Sequence, residues 1–140
     1  VFISRGDDSG THKKELRLWG AANLSPGGIA NSWYREIGAG MGAAIRMAVE
    51  MDGYTLTDRA TWIAFNGKAN HRILLSGQKE LFNQYGVIAV NPTKHPHVNF
   101  FGSEMFINWL TSPHGQKLIA SFTIQGQQLF FPNAHKTASN

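Results

Sequence analysis

The chain has 140 residues, 42% hydrophobic, 16% charged and 11% aromatic, which is the make-up of about one globular domain and not of a disordered tail or a fibre. It contains no cysteine, which excludes a disulfide scaffold, a cysteine nucleophile and a thiolate metal site. Thirteen Lys and Arg against nine Asp and Glu give a formal charge of +4. The positive residues are spread along the chain, and their densest cluster, His12-Lys13-Lys14 with Arg17, fits a solvated helix face better than a nucleic-acid footprint.

Signals for strand, loop and helix then alternate. Val1-Phe2-Ile3 reads as a strand already under way, as in a segment from inside a longer protein, with no basic-then-apolar leader before it. The strand ends at Ser4 in a turn-rich loop, and Thr11 is the expected N-cap of a helix over residues 12–22. Leu16 and Trp19 mark that helix's apolar face, and Lys13, Lys14 and Arg17 its wet side. Residues 23–28 are a stop and a loop. Residues 33–37 form a candidate strand, and Gly38-Ala39-Gly40 leads into a helix over residues 41–51. There Met41, Ala44, Ile45, Ala48 and Val49 recur as one buried stripe.

Tyr54-Thr55-Leu56 is a brief strand, followed by Thr57 as the cap of a short helix over residues 58–65. Residues 73–75 and 85–90 are expected as two further strands, the second apolar on both faces as in a covered sheet. The same run, 85–90, is the longest apolar stretch, too short to cross a membrane as a helix. A second helical block carries Met105, Phe106, Trp109 and Leu110, then stops and restarts at Ser112-Pro113 before Leu118, Ile119 and Phe122. Residues 125–140 are polar and turn-rich around Leu129-Phe130-Phe131. The alternation predicts an α/β fold, a mixed sheet covered by helices with a helical C-terminal segment.

The densest chemical constellation is Ser4-Arg5-Gly6-Asp7-Asp8-Ser9-Gly10-Thr11-His12, between a strand and a helix. In an α/β sheet that is the carboxyl end of a strand, where such folds bind ligands. The first helical amides lack internal partners and carry the positive end of the dipole, so the turn suits an anion. Gly10 permits close backbone approach, Ser9 and Thr11 bring hydroxyls, and Arg5 brings a cation with several donors. The same residues also fit an ordinary capped helix in which Thr11 bonds its own helix and Arg5 pairs with Asp7 or Asp8. A second glycine turn, with Gly40, Met41 and Gly42, offers further amides to the same ligand, or simply packs a helix tightly. It lacks the Lys-Ser/Thr of a nucleotide loop. Ser9, His12 and Asp58 are the residue types of a hydrolytic triad without a Gly-x-Ser-x-Gly elbow, and His95-Pro96-His97 lacks a third metal ligand.

The run from Ser4 through Glu15 resembles the periplasmic tungstate-binding proteins of ABC transporters, an extracellular solute-binding family. Trp33-Tyr34, Gly40-Met41-Gly42, Tyr54-Thr55-Leu56-Thr57-Asp58-Arg59, Asn83 with Tyr85 and Asn91-Pro92, Trp109-Leu110-Thr111-Ser112-Pro113 and Leu129-Phe130-Phe131-Pro132 continue the match in order. The resemblance implies a type II periplasmic-binding-protein lobe at residues 1–90, with 91–140 as a crossover and helical return segment of the first lobe, whose remainder is absent. It implies a non-enzyme, without cofactor or metal cation, that holds tungstate or molybdate through Arg5, Ser9, Thr11 and the Gly10 amide. It further implies a periplasmic or extracellular setting, a membrane permease as partner, and no nucleic acid. Leu75-Ser76-Gly77-Gln78 and an apparent insertion at 27–31 depart from the family pattern.

Tungstate and molybdate are unprotonated dianions at neutral pH and only accept hydrogen bonds, so their ideal site contains donors alone. Phosphate keeps a proton and gains from a carboxylate acceptor; sulfate differs from tungstate in size. The orientation of Asp7 and Asp8 is therefore the local discriminator: a carboxylate aimed at the ligand would repel a proton-free dianion.

Overall fold

In a computed structural model of the chain, residues 1–27 and 32–134 are described. The insertion expected at 27–31 lies outside them apart from Gly27, as does the polar end beyond residue 134. The chain divides into two compact units, Val1–Phe82 and Asn83–Asn140.

The first unit runs β1 (Phe2–Ser4), α1 (Gly10–Ala21), β2 (Tyr34–Glu36), α2 (Met41–Glu50), β3 (Tyr54–Thr55) and α3 (Arg59–Ala64), then a 3-10 turn at Lys79–Leu81. Its sheet is three-stranded and parallel in the order β2-β1-β3. Phe2 lies opposite Tyr34 and Tyr54, and Ile3 opposite Arg35 and Thr55. The chain leaves β1 for the strand on one side, then crosses to the strand on the other. That makes the carboxyl end of β1 a topological switch point.

Alternation along β1 explains which helix covers which face. Ile3 is fully buried against Met41, Ala44, Ile45 and Ala48 of α2, with Val49, Trp62 and Phe65 packed around them. The stripe expected on α2 is thus the core. Phe2 points to the opposite face, where its ring meets Trp19 of α1 edge-on at 5.1 Å and stacks on Tyr34 at 6.1 Å.

On α1 the inward stripe is polar. His12 and Glu15 are its buried residues, whereas Leu16, expected inside, is 44% exposed. The buried Glu15 carboxylate is satisfied through Oε1, which accepts from Trp19 Nε1 at 3.1 Å and from the Tyr34 hydroxyl at 2.8 Å. Burial, with the Glu15 charge adding to it, pushes the Tyr34 phenol up to about 12.

Two helix starts differ from expectation. The cap of α1 is Ser9, whose extended backbone lets Oγ accept from the His12 amide at 3.3 Å, so the helix starts at Gly10 and Thr11 is inside it. The cap of α3 is Asp58 and not Thr57, because the longer carboxylate reaches both the Thr61 amide at 2.8 Å and the Thr61 hydroxyl at 2.6 Å.

The strands expected at 73–75 and 85–90 are not formed. A strand exists only by pairing, and among the described residues no edge pairs with either segment; Leu74 and Ile88 are 66% and 89% exposed. The second unit contains α4 (Phe100–Thr111), α5 (Pro113–Ser121) and an antiparallel pair, β4 (Thr123–Ile124) with β5 (Gln127–Gln128). Ser112 ends α4 and caps α5, accepting from the Gly115 amide at 3.1 Å, with Pro113 opening the new helix.

Candidate functional site

Parallel pairing puts the carboxyl ends of β1 and β2 on one edge of the sheet, so α1 and α2 both begin there with their amide ends outward. Two backbone bonds tie the turns together: the Ile37 amide donates to Ser4 O at 3.1 Å and the Ala39 amide to Arg5 O at 3.2 Å. Gly6 makes this close passage possible. Its φ is +58°, and a Cβ there would stand 2.6 Å from Glu36 Cβ.

Within the β1–α1 loop, Asp7 turns inward. Its Oδ2 accepts from Arg5 Nε at 3.1 Å and from a terminal nitrogen of the same guanidinium at 2.5 Å, while Oδ1 accepts from the Ser9 amide at 3.2 Å. The Ser9 hydroxyl and amide, with the Arg5 guanidinium, hold the Asp7 carboxyl down to about 2. Asp8 turns outward, with φ +58°, and its carboxylate meets Lys13 Nζ at 3.2 Å. Arg5 is thus not the free cation that the loop pattern suggests. It is forked onto Asp7 by two of its five N–H groups, and its other terminal nitrogen has no acceptor among the described residues. Ser9 is likewise occupied, as helix cap and as a partner of Asp7.

The open donors are elsewhere in the same turn. Among the described residues nothing accepts from the Gly10 or Thr11 amides or from the Thr11 hydroxyl. At α2 the cap is Gly40, which has no side chain to turn back on the helix, so the Gly40, Met41 and Gly42 amides are also without an acceptor among the described residues. The structure therefore brings the two sequence-predicted turns to one edge. It presents a surface of N–H groups beside which the Asp7 and Asp8 carboxylates are already paired, while Glu36, at the end of β2, faces His12 Nε2 at 3.5 Å.

One buried residue of the loop escaped the anion pattern. His12 lies beneath it, with Nδ1 accepting from the Asp8 amide at 3.1 Å and Nε2 3.5 Å from Glu36 Oε1. Its position three residues after the cap, on the inward side of α1, was the available signal. The hydrolytic alternative fails on geometry: Ser9 Oγ accepts from the His12 backbone amide, both imidazole nitrogens face other groups, and Asp58 caps its own helix.

Elsewhere in the unit, Phe2, Glu15, Leu18, Trp19, Thr55 and Leu56 line an open cavity of about 220 Å³. Its apolar walls and buried carboxylate do not suit an anion. His95 and His97 are exposed with ring centroids 6.1 Å apart, and among the described residues no group of three metal-ligating side chains converges. No described helix is long and apolar enough to cross a membrane.

Comparison with known proteins gives this architecture its relatives. The sequence profile of the PBP superfamily domain matches residues 1–114. Tungstate-binding protein TupA of Peptoclostridium acidaminophilum is 44% identical over 96% of this chain and 47% of its own length. The crystal structure of the tungstate ABC transporter from Geobacter sulfurreducens superposes with a TM-score of 0.74 at 50% identity, over 87% of this chain and 50% of that one. Tungstate-binding protein TupA from Desulfovibrio alaskensis G20 also gives 0.74, at 43% identity over 95% of this chain and 54% of the other. The chain spans between 40% and 51% of the length of the curated relatives it matches. A parallel β2-β1-β3 sheet with helices on both faces, and a profile covering most of the sequence, lead to one conclusion: this chain belongs to the PBP superfamily.

Proposed function

We propose that this chain is part of the solute-binding protein of an ABC transporter and captures a tetrahedral oxyanion, tungstate or molybdate, without doing chemistry on it. The observation that carries this proposal is the set of open donors in the β1–α1 turn, whose own carboxylates are engaged. Asp7 is consumed by Arg5 and Ser9, Asp8 faces Lys13, and the Gly10 and Thr11 amides have no acceptor among the described residues. A proton-free dianion needs N–H and O–H donors and no acceptor, whereas protonated phosphate would gain from a free carboxylate that the loop does not offer.

Each hydrogen bond from such a site to a charged ligand contributes roughly 1.5–3 kcal/mol, so a few of them support micromolar binding after association costs. The proposed donors are the Gly10 and Thr11 amides, the Thr11 hydroxyl and the unengaged nitrogen of Arg5, held in place by Asp7; the first amides of α2 add to them. Ser9 contributes by capping α1 and steering Asp7. The tungstate-binding names of the relatives support the ligand class.

On this proposal residues 1–90 form the second lobe and 91–140 the crossover and return to the first; the chain divides into its two compact units earlier, between Phe82 and Asn83. Closure of two lobes over the ion, in a periplasmic or extracellular setting, would present a closed form to a membrane permease. Titration calorimetry of the full-length protein tests the proposal, with sulfate and phosphate as competitors. Tungstate binding is expected, and Arg5→Ala should weaken it about a hundredfold or more, because Asp7 is then left as an unpaired charge beside the ligand. No heat and no thermal shift with tungstate or molybdate would overturn it.

A further inference from the structure

We infer that His12 is a positioning residue for this oxyanion loop: its neutral imidazole, protonated on Nε2, holds the Asp8 amide through Nδ1 and so sets the loop's donors. The inference rests on the proposed oxyanion site. His12 is only 9% exposed, and it is the one member of the loop constellation that reaches back under the loop from inside α1. Nδ1 accepts from the Asp8 amide at 3.1 Å, so the ring's proton resides on Nε2, which faces Glu36 Oε1 at 3.5 Å. Nε2 is buried with no closer partner among the described residues.

The ring's other constraint is the backbone. Asp8 sits at φ +58°, a conformation an aspartate tolerates but does not prefer, and the hydrogen bond from its amide to His12 Nδ1 braces it there, beside the ion pair of its carboxylate with Lys13. Asp7 and Ser9 flank that residue. The His12–Asp8 hydrogen bond thus supports, from beneath, the stretch of backbone that carries the Asp7 carboxylate, paired with Arg5 and the Ser9 amide, and the Ser9 cap. The His12 side chain acts on the turn through Asp8, its other ring nitrogen facing Glu36.

Two substitutions separate the roles of the two ring nitrogens. In His12→Asn the amide oxygen falls where Nδ1 was and can still accept from Asp8; in His12→Gln the polar end falls where Nε2 was and cannot. With sodium tungstate as the probe and the full-length protein, His12→Asn should bind within about twofold of the parent. His12→Gln should bind on the order of tenfold more weakly, the cost of leaving one part-buried amide without its acceptor. Hydrogen exchange at the Asp8 amide, measured without any ion, should remain slow in His12→Asn and accelerate in His12→Gln.

Equal affinity in His12→Gln and the parent, or equal weakening in both variants, would overturn the inference. If His12→Gln does not fold, His12→Asn decides alone: weak tungstate binding or a fast Asp8 amide in it overturns the inference. If the parent itself gives no heat with tungstate, the proposed function fails. The ion-free exchange comparison then still supports or rejects the hold of His12 on Asp8.

Discussion

Replacing Gly6 by alanine probes the closest approach in the candidate site. Two costs add there. The backbone stands at φ +58°, where a Cβ costs roughly 1–2 kcal/mol. The new methyl would also stand 2.6 Å from Glu36 Cβ and 3.2 Å from Glu36 Cγ, and relieving that overlap costs about 1–3 kcal/mol more. Gly38 is an internal control. Its φ is +61°, yet a Cβ there would meet nothing within 4 Å, so Gly38→Ala should cost only the backbone share, about 1 kcal/mol after the gain from a stiffer unfolded chain. The expected loss is therefore about 2–4 kcal/mol for Gly6→Ala, at least twice that for Gly38→Ala. Native-state hydrogen exchange of the β1 amides reads it, because the central strand of a sheet opens only when its unit unfolds. Equal losses in the two variants would refute the packing of this loop against β2.

Ser9→Asp keeps a side chain able to cap α1 but adds a negative charge at the mouth of the turn. Thermal stability should fall modestly, because the hydroxyl beside Asp7 is lost, while tungstate affinity falls at least about tenfold, and retained affinity in calorimetry would contradict the placement of the ion. Asp7 provides a pH test. Its carboxyl is held down to about 2 from the ordinary 3.8, so its contribution to folding is complete above the ordinary value and disappears as pH falls through the lowered one. Stability measured between those limits should decline in the parent and be flatter in Asp7→Asn; identical slopes would show that Asp7 is not engaged by Ser9 and Arg5.

The parts of this molecule legible in its sequence are those governed by local period and local caps. The α2 stripe is a 3.6-residue apolar repeat, and Ser112-Pro113 is a stop and a start written in adjacent residues. The fold class followed from alternation, and both glycine turns were placed at helix starts. What could not be seen depends on partners distant in the chain. Residues 85–90 have a strand's composition, but composition does not provide an edge to pair with. The buried face of α1 escaped detection because it is polar: Glu15 is inside only because Trp19 and Tyr34 satisfy it. Within the site, Arg5, Asp7, Asp8 and Lys13 admitted several pairings. The choice of Asp7 for Arg5 and of Lys13 for Asp8 is made by the backbone, which turns left-handed at Gly6 and again at Asp8.

Diffraction from crystals of the full-length protein grown with tungstate, recorded at a tungsten absorption edge, tests the oxyanion site most directly. A single strong anomalous peak should appear at the carboxyl edge of the β2-β1-β3 sheet, with the ion's oxygens in hydrogen-bond reach of the Gly10 and Thr11 amides and of Arg5. A peak bound away from that edge, or crystals containing no tungsten at saturating concentration, would contradict it.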